Sequence, residues 1–401
     1  MSLKFLTKDY PITNSYFIIS KFCLGWMGQY PQAHSSTLRN LNCLFHVLVL
    51  FLGVISQFWY GFHYLKVDLV RGIDAICPAI SCLVSFVKMA LIICNGKELS
   101  RVLIHLKLVL FSELDEEKTK IVQKFSLTAT KLAFMVLISG ILANVVYSLR
   151  PLVTNVFRIS MGMEYLFDET PLKVMVPSVL LTLPWYPLTY ALISYMAQVC
   201  IIAFSGVDGV FISFCLYSAA LLKILQRDMR LTFEKYHTST LTLLDDEDNR
   251  KCFDEVGRIV RRHNEIIDLV RRFSQLFMWI TLAHFVTSSI VIGASIIEAL
   301  LYPGFRALVC ISYTLAVSCE LFIFCYGGSA VIENSFDLGM SAYFTNWYHC
   351  DKRVQKAILI IIARSQKPLT MDVPFFTPSL VTFTSILQTA GSIIAVVKSV
   401  L

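Results

Sequence analysis

Five hydroxyl side chains organise the last apolar stretch of this 401-residue chain, from about 378 to 401. Thr382, Ser385, Thr389, Ser392 and Ser399 recur at steps of three and four, with Val396 at the skipped position. At about 100° per residue they share one stripe of a helix, and Leu387, Ile394 and Leu401 fall on the opposite side. A membrane helix with one hydroxyl stripe either packs closely on a neighbour or touches water. Spacing alone weighs these two readings evenly.

The remaining reactive residues are scattered. Glu320 and Lys88 are ionisable groups inside apolar runs, and such groups point to function by default. Lys88 stands near one end of its run, where a long stem reaches the interface by snorkelling. Glu320 lies nearer the middle and needs a polar partner or water. His349-Cys350-Asp351 has metal-ligating types, but adjacent residues point in different directions and no partner pair follows. There is no Gly-rich phosphate loop and no nucleophile elbow. No acid–base or metal set converges, so the reading is not an enzyme, and no cofactor or metal is expected. The twelve cysteines lie mostly in apolar runs without a CxxC pair, which suits small hydrophobes rather than a disulfide framework.

The elements that carry these residues are membrane helices. The chain is 56% hydrophobic and 16% charged, with a mean hydropathy of +0.64. That balance belongs to an integral membrane protein. Seven apolar segments are expected to span the bilayer, at 41–62, 73–94, 125–149, 187–210, 273–300, 307–332 and 378–401. The fourth continues as a helical pattern to about Lys235. No cleavable signal is read, so insertion is expected to begin with the first internal span. No internal repeat is present, which weakens an inverted-repeat transporter.

Charge sets the orientation. Residues 1–40, 95–124, 226–272 and 334–372 carry four, six, ten and five Lys/Arg, against two, three and one in 63–72, 150–186 and 301–306. This 25-to-6 asymmetry puts the first set, and the N-terminus, in the cytoplasm. Seven crossings then leave the C-terminus extracellular. The expected fold is an all-α, polytopic membrane protein with a cytoplasmic helical anchor bundle, drawn mainly from 211–272 and 333–372. In that region Ile259, Ile266, Ile267 and Val270 alternate with Arg258, Arg261, Arg262, Arg271 and Arg272. The alternative is a solvated basic loop facing anionic lipid. Residues 237–252, with the acidic run Asp245–Asp248, read as a loop. The net charge of +7 reports topology rather than nucleic-acid binding.

With this orientation, the outer halves of four spans mix aromatic, small and hydroxyl residues. They are Cys77, Ser81 and Val84; Gly140, Ala143 and Tyr147; Tyr190, Ser194, Tyr195 and Gln198; and Tyr313. Such a mixture suits a cavity for a small, mostly apolar molecule. Composition alone favours ordinary packing with interfacial tyrosines.

The final third adds a resemblance. Ser312-Tyr313 is followed by Glu320-Leu321-Phe322-Ile323-Phe324-Cys325-Tyr326-Gly327-Gly328-Ser329, then Ser335, Leu338, Ala342-Tyr343 and Trp347. Next come Ala363-Arg364-Ser365-Gln366-Lys367-Pro368, then Phe375, Ser379-Leu380, Phe383, Ile386-Leu387 and Ser392. This order resembles the C-terminal signature of insect odorant receptors. Arg261-Arg262-His263-Asn264 and Trp185-Tyr186-Pro187 resemble family features too. The likeness covers the whole chain in length and topology, and its specific motifs lie in the final third.

The resemblance implies a seven-span subunit of a tetrameric ligand-gated cation channel, with the seventh helix lining the pore. Val396 and Val400 would be the apolar gate beside Ser399, since a ring of valines closes a narrow pore by excluding water. Thr389, Ser392 and Ile393 complete the implied pore set. Two departures stand out: the family often has Gln at Glu320 and Asn at Ser329. The short cytoplasmic loop after the fourth span implies a ligand-tuning subunit that needs the odorant co-receptor in a heterotetramer. The other implied partners are a small volatile organic ligand, membrane lipid and permeating cations. The implied place is the plasma membrane of an olfactory sensory neuron dendrite. In this reading the outer tyrosines make aromatic contact with the ligand, while Ser81, Ser194 and Gln198 supply hydrogen bonds.

Two rivals keep the receptor role. A gustatory-type channel would carry a Thr-Tyr…Gln-Phe ending, which this chain lacks. A seven-span G-protein-coupled chemoreceptor would have the opposite orientation, and neither an Asp-Arg-Tyr triplet nor an Asn-Pro-x-x-Tyr motif is present.

Overall fold

The computed structural model of the protein describes residues 3–7, 10–31, 36–165, 167, 169–236, 246–301, 304–371 and 373–400. Its helices are α1 (Ile12–Ser15), α2 (Ile18–Trp26), α3 (Thr37–Tyr64), α4 (Leu69–Cys94), α5 (Gly96–Phe111) and α6 (Glu116–Ser160). They continue with α7 (Tyr186–Tyr236), α8 (Asp246–Leu301), α9 (Phe305–Tyr343), α10 (Lys352–Ser365) and α11 (Leu380–Val400). Among the described residues, six helices are long and apolar enough to cross a membrane: α3, α4, α6, α7, α8 and α9. The 21-residue α11 is the seventh. The protein is therefore an all-α, multi-pass membrane protein.

Membrane helices invert the usual pattern, because the solvent on the outside is lipid. On α3, Leu38, Leu41, Leu44, Phe45, Leu48, Leu52, Ile55 and Trp59 are exposed. The buried face of the same helix carries His46, Leu50, Gly53, Gln57 and Gly61. Polar groups turn inward because a hydrocarbon exterior cannot satisfy them.

The centre of the molecule is α7. Every residue from Ala203 to Leu222 is buried. A helix covered on all faces needs small residues where neighbours cross. A Cβ at Gly209 would stand 2.7 Å from Ser20 Oγ, and one at Gly206 2.8 Å from Leu24 Cδ2. These glycines let α2 lie directly against α7.

Beyond the membrane, α7, α8, α9 and α10 continue as a packed bundle. On α8, Val256, Ile259, Ile266, Leu269 and Val270 are buried, and α10 contributes Val354, Ile358 and Ile361. Gln226 Nε2 donates to the Asn334 carbonyl at 2.8 Å, and Leu369 N donates to Ser335 Oγ at 2.8 Å. The apolar stripe between the arginines is thus a packing face, and the solvated-loop alternative does not hold there. The loop expected at 237–252 also needs correction. Residues 237–245 lie outside the described set, but α8 begins at Asp246. Asp246, Glu247 and Asp248 sit in its first turn, where the helix dipole favours negative charge.

Candidate ligand-binding site

A cavity of about 80 Å³ opens between α4, α6, α7 and α9. From α4 it takes Pro78, Ser81 and Cys82; from α6, Gly140, Ala143, Asn144 and Tyr147. From α7 it takes Ala197, Cys200, Ile201 and Phe204, and from α9 Tyr313, Ala316, Val317 and Glu320, with Leu172 of the α6–α7 connection also lining it. The helical logic is plain on α7 and α9. Ala197, Cys200, Ile201 and Phe204 are spaced i, i+3, i+4, i+7, as are Tyr313, Ala316, Val317 and Glu320, so each set is one face. Gly140 keeps α6 close to α7: a Cβ there would lie 2.8 Å from Ile201 Cγ2.

The walls are apolar, with a few polar groups in fixed pairs. Ser81 Oγ lies 2.5 Å from Tyr313 Oη, and Tyr313 donates to the Cys77 carbonyl at 3.1 Å. The Tyr313 ring meets Tyr147 edge-on, with centroids 5.7 Å apart. Asn144 Nδ2 donates to Gln198 Oε1 at 3.1 Å. At the outer side, Arg150 grips Asp74 with two bonds of 2.7 and 2.5 Å, and both side chains are buried. Such a bidentate pair fixes α4 against α6 next to Tyr147.

Below the cavity lies a buried charged cluster. Lys88 Nζ is 2.6 Å from Asp208 Oδ1, with both side chains 0% exposed. The same ammonium lies 3.5 Å from His284 Nδ1 and 4.1 Å from the centre of the Phe204 ring. One ligating atom each from Asp208, His284 and Glu320 lies within 4.8 Å of the others. The snorkelling expected of Lys88 is therefore corrected. Its stem points inward because Asp208, 120 residues away in sequence, supplies a counter-charge that the interface need not. Three protein donors around one point can hold a metal ion, but here the ammonium already stands beside Asp208 as the cation. The donor set does not ask for a metal.

The residues expected at the site fall into three groups. Ser81, Gly140, Ala143, Tyr147 and Tyr313 line the cavity. Cys77 and Gln198 stand behind it, holding Tyr313 and Asn144. Val84, Tyr190, Ser194 and Tyr195 do not line it. Val84 packs with Leu50, Cys82 and Val199. Tyr190 bonds the Ser148 carbonyl and borders a separate outer groove with Tyr165, Phe167 and Tyr186. Ser194 has a buried hydroxyl with no partner among the described residues. Tyr195 turns to His46, 3.1 Å away on α3.

On α11, Ser385, Thr389 and Ser392 are exposed, while Ala390 is buried and Phe383 and Ile386 are half-buried. Thr389 and Ser392 bond the carbonyls of Ser385 and Gln388. The helix packs on α8 and α9. Its hydroxyl stripe is thus not the face packed within this chain. The side chains of Ile393, Val396, Ser399 and Val400 lie outside the described residues.

Sequence reasoning missed Asn144, Asp208 and, on α9, Ala316 and Val317. Asp208 was readable as a lone acid in an apolar run, the same signal that drew attention to Glu320.

Comparison with known proteins agrees with this architecture. The 7tm Odorant receptor family matches residues 68–391. Odorant receptor 24a of Drosophila melanogaster is 38% identical over 400 residues, covering 99% of each chain. The odorant co-receptor of Aedes aegypti is 31% identical over 134 residues, 32% of this chain and 27% of that one. The structure of the olfactory receptor OR5 from Machilis hrabei, solved with eugenol, superposes with a TM-score of 0.79 at 16% identity. It covers 97% of this chain and 98% of the other.

Proposed function

The chain belongs to the 7tm odorant receptor family, and from that premise we propose that it is the odorant-binding subunit of a heteromeric ligand-gated channel. The channel is non-selective for cations and forms with the insect odorant co-receptor. A small volatile molecule occupies the cavity between α4, α6, α7 and α9, and the α11 helices line the pore. The site of action is the plasma membrane of a sensory dendrite.

The observation that supports this most is the reach of α9. Its outer half carries Tyr313, Val317 and Glu320 on the cavity wall. Its inner half holds the entry to α11: Leu380 N donates to Ser329 Oγ at 2.9 Å. A Cβ at Gly328 would stand 2.1 Å from the Pro378 carbonyl oxygen, so the two segments are in direct backbone contact there. A ligand that favours one setting of α9 thereby biases α11. Only differential affinity for the open and closed arrangements shifts the equilibrium, since equal affinity for both shifts nothing. The exposed stripe Ser385, Thr389 and Ser392 gives α11 a polar face for water and ions. The family match to odorant receptors favours this reading over a gustatory channel.

The test is whole-cell recording during an odorant panel, with the chain alone and with an insect co-receptor. Ligand-evoked cation current in the pair and not with either subunit alone is the expected result. A response that requires a G protein, with no channel current from the pair, would overturn the proposal.

A further inference from the structure

A second cavity, of about 230 Å³, lies between α6, α7, α9 and the start of α11. Lys124 of α6 and Glu333 of α9 both line it, one charge of each sign. Among the described residues neither side chain makes an ion pair or a hydrogen bond. Lys118, nearly two turns earlier on α6, by contrast pairs with Asp228 at 3.2 Å. Two further donors stand in the wall. The Tyr326 hydroxyl makes no hydrogen bond among the described residues, and Ser329 Oγ accepts Leu380 N at 2.9 Å while its own proton is unassigned there. The rest of the wall is partly apolar, with Phe125, Leu216 and Leu380. Lys124 comes just before the third apolar run and Glu333 just after the sixth. Both therefore stand where hydrocarbon gives way to lipid headgroups, at the end where the α7–α10 bundle begins.

We propose that this cavity holds the headgroup of a zwitterionic aminophospholipid of the phosphatidylethanolamine class. Its phosphate accepts from the Lys124 ammonium and from the Tyr326 and Ser329 hydroxyls. Its primary ammonium donates to the Glu333 carboxylate. Such a headgroup answers both unpaired charges at once, whereas an anionic headgroup without an amine sets its charge against Glu333 and leaves that carboxylate without a donor. At about 30 Å³ per water, the space holds about eight atoms of that size, which matches a phosphate with ethanolamine and leaves little for the three further methyls of choline. Phe125, Leu216 and Leu380 offer apolar surface to the lipid beyond its headgroup. The occupant touches Ser329 and Leu380, the hydrogen-bonded entry to α11, so lipid composition acts on the joint through which α9 biases α11. Only this last consequence rests on the channel reading; the binding does not.

The experiment uses the purified full chain and reads the concentration of dioctanoyl phosphatidylethanolamine that raises the thermal unfolding midpoint. Dioctanoyl phosphatidylcholine and dioctanoyl phosphatidylglycerol are the comparisons. One hydrogen bond at a site partly open to solvent is worth about two- to tenfold in affinity. Phosphatidylethanolamine is expected to be the most potent of the three by about that factor. Glu333→Gln should bring it down to the level of phosphatidylcholine, and Lys124→Gln should weaken all three. Ala330→Trp, which fills the space from a half-buried wall position, should remove the advantage of phosphatidylethanolamine. Glycerophosphoethanolamine, the same headgroup without chains, should give no shift at these concentrations. Equal potency of the three lipids on the wild-type chain overturns the proposal. So does a preference that survives both Glu333→Gln and Ala330→Trp, since it then belongs to lipid around the whole protein. A shift by glycerophosphoethanolamine equal to that of the lipid would make the occupant a soluble phosphate ester and overturn the lipid assignment. Should a variant fail to fold, the wild-type comparison decides alone.

Discussion

Removing the ammonium of Lys88 should damage this protein far more than a surface lysine change. Lys88 and Asp208 are both fully buried and 2.6 Å apart. Lys88→Met keeps most of the stem but leaves Asp208 with neither carboxylate oxygen paired, since Oδ2 already lacks a partner among the described residues. Breaking a buried pair from one side costs about 3–5 kcal/mol, because an uncompensated charge remains. That is roughly a hundred- to several-thousand-fold in the folded-to-unfolded ratio. The double variant Lys88→Met with Asp208→Leu removes both charges and should recover most of the loss. Phe204, whose ring the ammonium covers at 4.1 Å, lines the cavity, so the single variant should also weaken ligand responses. The assay is the surface-exposed fraction and the thermal stability of the full chain in the four members of the cycle. A single variant as stable as wild type, or a double variant no better than the single, would refute the reasoning.

Other consequences can be measured the same way. Tyr313→Phe takes the bond from Ser81 and the Cys77 carbonyl, so it should cost about 1 kcal/mol of stability. Ser81→Ala should add little on top of it, as thermal unfolding of the two single variants and the double would show. Gly328→Ala forces a Cβ to 2.1 Å from the Pro378 oxygen, so the entry to α11 must shift; basal current or ligand efficacy should change more than ligand potency. His263, buried where α8 packs with α9 and α10 and with Arg364 nearby, is held down to about 4 by burial first and that charge second. Its folded value lies below the unfolded 6.5, so the folded state binds fewer protons between those values. Stability is complete above pH 6.5 and falls as pH drops to 4, by about 3 kcal/mol in all. His263→Phe should flatten that part of the stability–pH curve, and an unchanged slope would argue against a buried neutral imidazole.

Much of the architecture was legible because lipid and charge write on sequence directly. The hydrophobic runs marked the helices, and the 25-to-6 distribution of Lys/Arg is the ground on which their orientation is expected. The hydroxyl stripe of α11 was visible in its spacing, and its exposure removes the reading that it packs on another helix of this chain. The cavity was legible on α6, where Gly140, Ala143 and Tyr147 all line it. On α7 the expected residues run from 190 to 198, whereas the wall runs from Ala197 to Phe204. That is nearly two turns deeper, or about 10 Å. Tyrosines near the outer end drew attention outward, as interfacial aromatics do. A helix buried on every face offers no periodic signal to say which side meets a cavity. The Lys88–Asp208 pair was hidden for another reason: no local pattern ties residues 120 positions apart, so a lysine near a span end reads as an interfacial one.

The most direct test of the central claim, that α11 lines a cation pore opened from the cavity, is chemical access to its hydroxyl face. Ser392→Cys would be expressed with an insect co-receptor and exposed to a charged, membrane-impermeant thiosulfonate during odorant application. The account predicts a change in the evoked current that requires the introduced thiol, absent from the wild-type chain with its twelve native cysteines. An odorant current indifferent to the reagent at Ser385, Thr389 and Ser392 alike would place this face away from the ion path and contradict the account.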